Sequence, residues 1–190
     1  MTPAEFLQAA HLAQKLKDTT RHCYTGGGRH ESVADHSWRL ALMAFLLRNE
    51  FPGADMDRVL RMCIIHDLGE IFTGDIPSFE KTEENEVTEE KLLFDWVASL
   101  PAPLNTDMRR LYDEMRQQET EEARIYKCLD NLEAVIQHNE SDLSTWTPNE
   151  FSLNLTYAED RVRFSPYLTE LRALLRRETE DKIKNDTNAR

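Results

Sequence analysis

Apolar residues recur three and four positions apart along most of the chain, and alternating β-branched runs are nearly absent. That period predicts an all-α fold, a compact helical bundle. Phe6, Ala9, Ala13 and Leu16 form one stripe, Leu40, Met43, Ala44 and Leu47 a second, and Val59, Leu60, Cys63 and Ile64 a third, each marking a core-facing helix. Further helices are expected over about 83–100, where Pro101 and Pro103 stop the run, and over about 107–116. Another is expected over about 120–139, with Ala123, Tyr126, Leu129, Leu132 and Ile136 inward. The last is placed over about 158–178, with Val162, Leu168, Leu171 and Leu175 inward. Two connections, 24–29 with Gly26-Gly27-Gly28 and 73–79 with Gly74 and Pro77, stand where they can border a site. One domain over 1–180 and a disordered polar tail over 181–190 complete the expected organisation.

Composition narrows the functions such a bundle can serve. The chain has 190 residues and a formal net charge of -12, which argues against coating a nucleic acid polymer or an anionic membrane. No apolar run reaches the roughly 18 residues of a membrane span, and the amino-terminal stretch lacks the basic start and apolar block of an export signal. Cys23, Cys63 and Cys128 are odd in number and widely spaced, the usage of reduced thiols in a cytoplasmic protein. The sequons at Asn139, Asn154 and Asn185 then read as chance matches. The charge is uneven: residues 1–30 carry four basic groups (Lys15, Lys17, Arg21, Arg29) against two acidic ones (Glu5, Asp18), whereas five carboxylates crowd 83–90. A small anion can approach the first region.

Two of the six histidines have neighbours that suggest chemistry. His36 lies in Glu31-Ser32-Val33-Ala34-Asp35-His36-Ser37, and His66 precedes Asp67 at the end of the third apolar stripe. An imidazole and a carboxylate following buried-type residues cost several kcal/mol unless they are paired or bound to a metal. Asp130 sits on the apolar face of the sixth predicted helix, where a carboxylate needs a cation or a donor. His36, His66, Asp67 and Asp130 would give two neutral imidazoles and two carboxylates around one divalent ion. Such a set suits Mn, Fe, Co or Zn and leaves positions for water and a substrate oxygen. Taken singly, His36 as a helix-end residue, His66 bonded to a carbonyl and Asp130 paired with an arginine are the plainer readings; their combination favours the metal. His30-Glu31-Ser32-Val33-Ala34 lacks the second histidine of a zinc-protease helix, and the triple glycine lacks the Gly-Lys-Ser/Thr of a P-loop.

The order His, then His-Asp about thirty residues on, then Asp about sixty residues later resembles the HD-domain metal-dependent phosphohydrolases. The stretches around His36 and from His66 to Pro77 resemble the branch containing the 5'-deoxynucleotidases, over about residues 5–140. The resemblance implies His36, His66, Asp67 and Asp130 as ligands of one divalent metal ion (Mn, Co, Fe, Zn or Mg). It also implies Glu70 and Asp75 as the acids that activate water and position substrate, Arg21 as a phosphate-binding residue, a small nucleotide as substrate, and a homodimer. Independently, Glu70 falls four residues after His66, on one face if the helix continues. Lys17 and Arg21, one turn apart, are either solvated surface charge or cations for the phosphate, to which the planar fork of an arginine is suited, and His22 is taken as a further substrate contact. In the bacterial members a tryptophan follows the arginine and crowds the sugar 2'-position; His22 stands there in this chain, so the sugar preference is left open. Residues 68–129 contain no histidine, which disfavours a two-metal phosphodiesterase or oxygenase. Two alternatives stay open: an HD hydrolase of another small phosphate ester, and a non-catalytic helical interaction module that retains a metal site.

Overall fold

The structure, a computed structural model, describes residues 1–77 and 80–189, the last three by their backbone only. Among these, helices α1 (Pro3–Ala13), α2 (Val33–Leu46), α3 (Met56–Ile65), α4 (Glu70–Thr73), α5 (Glu83–Ser99), α6 (Leu104–Gln117), α7 (Glu121–Glu140), α8 (Glu150–Thr156) and α9 (Pro166–Ala189) carry the fold. Strands β1 (Thr20–Tyr24) and β2 (His30–Ser32) form one antiparallel ribbon between α1 and α2. The bundle is as the apolar period predicts.

Helix α7 is its axis. Ala123, Ile125, Cys128, Leu129, Leu132 and Val135 are all sealed from solvent, and α7 packs against α2, α3, α6 and α9. The second and third stripes face this axis through Leu40, Ala44, Val59 and Cys63. Side-chain caps start the helices: Ser32 with Asp35 at α2, Thr82 with Asn85 at α5, and Thr120 at α7 each accept or complete bonds to orphan amides.

Four expectations change. The first stripe faces the core only in part: α1 fully buries no residue and Phe6 is 60% exposed, while Ala9 packs half-buried against the core and Leu16, in the 3₁₀ turn Gln14–Lys17, is buried with Val33 and Ile71. The helix ends too early for its stripe to continue, because Asp18 closes the 3₁₀ turn and the chain passes into β1. The connection over 24–29 is therefore the turn of a hairpin and not a helix linker. Helix α8 has no counterpart in the sequence reading; at 7 residues it is too short to show a helical period. Finally, α9 starts at Pro166 and runs through the segment expected to be disordered. No glycine or proline interrupts 167–189, Arg176 pairs with Glu180 one turn on at 2.9 Å, and Thr179 is buried against Asn139 through a 2.8 Å bond. Phe79, at the end of the 73–79 connection, and residue 190 lie outside the described residues.

Candidate metal centre and its cavity

His36 lies one turn into α2, whose amino end is fixed by the Ser32–Asp35 box, and no part of its ring reaches solvent. His66 and Asp67 follow the last residue of α3. Here the backbone tightens, with Leu68 N–H on Ile65 O at 3.2 Å and Glu70 N–H on Asp67 O at 3.0 Å. The helix expected to run from His66 to Glu70 is thus broken, and the break turns Asp67 and Glu70 together into one cavity. Gly69 in this turn allows α5 to come close, since a β-carbon there would stand 2.8 Å from Glu89 Cγ. Asp130 projects from α7.

All four proposed ligands meet. His36 Nε2 lies 3.1 Å from His66 Nε2, 3.2 Å from Asp130 Oδ1 and 3.8 Å from Asp67 Oδ2. His66 Nε2 lies 2.9 Å from Asp67 Oδ2 and 3.8 Å from Asp130 Oδ1. Metal bonds of about 2.1 Å put neighbouring ligand atoms roughly 3.0 to 3.4 Å apart, so the spacing suits a common ion.

The hydrogen bonds around the ring atoms make the same demand. His66 Nδ1 donates to Cys63 O at 2.9 Å, which leaves a lone pair on Nε2, and His36 Nδ1 donates to Glu133 Oε2. With both Nδ1 positions taken, two imidazole lone pairs and two carboxylates would face one another. A positive charge has to sit among them. In the absence of a metal a proton serves: burial and Arg21 push His36 down, but Glu133 and Asp130 raise it to about 9. Burial likewise opposes ionisation of Asp67 and Asp130, yet His66 holds Asp67 at about 2, and Lys127 and His36 hold Asp130 well below the usual carboxylate range. The donor set fits a divalent ion that displaces this proton.

The cavity beside the centre has a volume of about 270 Å³, near the lower end of small-molecule clefts. Arg21, His22, Glu70 and Asp75 all line it. Consecutive side chains of a regular strand point to opposite faces, but Arg21 and His22 reach the same cavity because β1 is bulged: four steps from Thr20 to Tyr24 pair with two from Ser32 to His30. Arg21 Nε is 3.4 Å from Glu31 Oε2, and burial, which opposes its charge, is outweighed by Glu133, Glu31 and Asp67. Glu70 is 7% exposed with Oε2 unbonded among the described residues; burial, Asp67 and Asp75 push its carboxyl up to about 10. Burial also raises Asp75.

Lys17 does not join them. The chain between it and Arg21 turns at Asp18 into strand β1 and is not helical, so Lys17 lies exposed beside a separate surface groove with Arg29, Asp35 and Trp38.

Several groups escaped the sequence reading. Glu133 is fully buried and orients His36, and Arg39 Nε donates to its second oxygen at 2.6 Å. Lys127 Nζ lies 2.7 Å from Asp130 Oδ2 and lines the cavity. His22 and His138 both reach Glu150 Oε1, at 2.9 and 3.1 Å, and Asn154 follows Glu150 one turn on. Glu133 carried the same signal as Asp130, a carboxylate on the apolar face of α7.

Comparison with known proteins identifies the family and its fold. The HD domain family matches residues 13–172. A 5'-deoxynucleotidase, HDDC2, of Mus musculus is 32% identical over 141 residues, 72% of this chain and 70% of that protein. The 5'-deoxynucleotidase plu3092 of Photorhabdus laumondii is 30% identical over 161 residues, 79% of this chain and 80% of that protein. A crystal structure of a protein from Magnetospirillum magnetotacticum, described as a predicted metal-dependent phosphohydrolase, superposes with a TM-score of 0.80 at 28% identity, covering 94% of this chain and 95% of that one. No helix among the described residues is long and apolar enough to cross a membrane.

Proposed function

The chain belongs to the HD domain family of metal-dependent phosphohydrolases, and from that premise we propose that it removes the phosphate of deoxyribo- or ribonucleoside 5'-monophosphates, giving nucleoside and inorganic phosphate. The observation that carries this reading is the meeting of Arg21, Glu70 and Asp75 in the one small cavity that Asp67 and Asp130 also line. The names of the relatives support the choice of substrate class.

His36, His66, Asp67 and Asp130 would hold the divalent ion, Mn, Co, Fe, Zn or Mg. Such an ion supplies Lewis acidity toward phosphate oxygens and makes water a better nucleophile. The chain supplies the rest. Arg21, held on its other side by Glu31, offers its guanidinium to the phosphoryl oxygens and offsets their charge in the transition state. Glu70 Oε2 is open to accept the proton of the attacking water, and its burial makes it a strong acceptor once ionised. As the bond between phosphorus and O5' breaks, that proton passes to the leaving O5'. Asp75, at the same wall, orients the water or takes the Glu70 role. Access for a compact ligand and none for a polymer follows from the size of the cavity. A cytoplasmic setting fits three buried cysteines that form no bridge.

The test is phosphate release from a panel of deoxyribo- and ribonucleoside monophosphates with Mn, Co, Mg and Zn. Release is expected, with dAMP against AMP reporting what His22 does to sugar preference. His66→Ala and Asp67→Ala are expected to lose bound metal and activity together. No release from any monophosphate, with metal content unchanged in both variants, would overturn the reading.

A further inference from the structure

Helix α8 lies antiparallel to the cavity side of α7. His138 meets Glu150 at one end, with Nε2 3.1 Å from Oε1, and Asn131 Nδ2 donates to the Tyr157 hydroxyl at 2.9 Å at the other. Between these two ties the facing residues are Ala134 on α7 and Leu153 and Asn154 on α8, and all three line the cavity.

Asn154 is 2% exposed, and its side-chain Nδ2 has no acceptor among the described residues. Its neighbours on the cavity side are committed elsewhere. Glu150 receives His22 and His138 on Oε1 and the Thr147 N–H on Oε2, while Asn131 Nδ2 donates to the Tyr157 hydroxyl. A buried amide donor left open is costly to fold and is paired in most native interiors. An acceptor brought by the ligand would satisfy it. Leu153, Ile76 and Pro77 add apolar surface to the same cavity, which suits the faces of a flat ring whose edge carries the acceptor.

We propose that Asn154 is a specificity-determining residue that donates a hydrogen bond to an acceptor on the nucleoside half of the ligand, a ring nitrogen or carbonyl oxygen of the base or a hydroxyl oxygen of the sugar. This rests on the nucleotide reading above. It adds a second recognition element, on α8, to the phosphate contacts of Arg21 and the metal.

The experiment compares wild type with Asn154→Leu and Asn154→Gln on four deoxynucleoside monophosphates, on 2-deoxyribose 5-phosphate and on p-nitrophenyl phosphate. Asn154→Leu is expected to raise KM about five- to tenfold for at least one nucleotide, the effect of losing one hydrogen bond. Its kcat and its kcat/KM for p-nitrophenyl phosphate stay within about twofold, and its Tm is equal or higher because an unpaired donor is gone. Asn154→Gln, which keeps the amide, recovers part of the discrimination. Loss confined to nucleotides places the acceptor on the base, and equal loss on deoxyribose phosphate places it on the sugar. Unchanged KM for all nucleotides, or an equal loss on p-nitrophenyl phosphate, overturns the proposal while leaving the nucleotide reading intact. If wild type cleaves p-nitrophenyl phosphate and no nucleotide, both fall.

Discussion

The Glu133 carboxylate accepts the Nδ1 proton of His36 in a region that solvent does not reach. This bond fixes which imidazole nitrogen faces Asp67 and Asp130, and the second Glu133 oxygen is held by Arg39 at 2.6 Å. Partners of this kind govern ligand orientation and basicity. Glu133→Gln, which keeps the shape and removes the charge, is expected to weaken metal binding about 10- to 100-fold. Competition titration against a chelator measures it, and activity should return at high metal concentration. An unchanged metal affinity would count against the role.

Lys127 is poised between the metal ligands and the ligand cavity. Asp130 keeps it protonated, and its Nζ lies 2.7 Å from Asp130 Oδ2 while the side chain remains partly open to the cavity. With six carboxylates in the same lining, from Asp67, Glu70, Asp75, Glu86, Asp130 and Glu150, a phosphate dianion needs this cation as well as Arg21. Lys127→Met is expected to raise KM for phosphate esters about tenfold and to weaken inhibition by inorganic phosphate, with metal stoichiometry retained. Steady-state kinetics with phosphate as inhibitor, beside metal analysis, would show it.

How far the sequence carried depended on what kind of signal each residue left. His66-Asp67 was legible because ionisable groups directly follow an apolar run, and Asp130 because helical spacing places it inward. The same test applied to Glu133 would have found it. Lys17 was misplaced because helical spacing was assumed across Asp18, where the chain turns into β1. The ribbon itself was hidden, since strands of 5 and 3 residues with a bulge show no alternation. Asn154 was visible only as a chance sequon. Its surroundings arise from the packing of α8 on α9 and its side-chain ties to α7, which no local pattern encodes.

Glu150 gives the fold an acid-sensitive tie. Burial opposes its ionisation, but hydrogen bonds from His138, His22 and the Thr147 amide hold its carboxyl well below the usual range. A carboxylate lowered in the folded state stabilises at pH values above its unfolded pKa of about 4.3, and that contribution is lost as pH falls toward the folded value. Glu150→Gln is therefore expected to cost about 2 kcal/mol at pH 7. The difference from wild type should stay constant down to about pH 5 and shrink below it. Urea unfolding at several pH values follows this, and a gap that widened on acidification would contradict it.

The three thiols should be silent in the native protein. Cys23, Cys63 and Cys128 are each at most 3% exposed, and burial pushes all three upward, Cys128 to about 12. Little thiolate forms at neutral pH. Ellman's reagent is expected to titrate none of them in the folded chain and all three in guanidinium chloride. Fast reaction of one thiol in the native state would show that the strand or helix that carries it opens locally.

The bulge in β1 makes chain length, as much as residue identity, a determinant of the substrate site. It seats two adjacent side chains, Arg21 and His22, on one wall, and a two-residue deletion within 20–24 would restore regular pleating and swing one of them away. Substitution at position 22 can retune the pocket by small steps, since the strand keeps its path. Insertions and deletions in this strand cannot. Diversification of the pocket among descendants of this chain would then proceed by exchange of side chains on a strand of constant length, with length variation confined to the exposed turn beyond it.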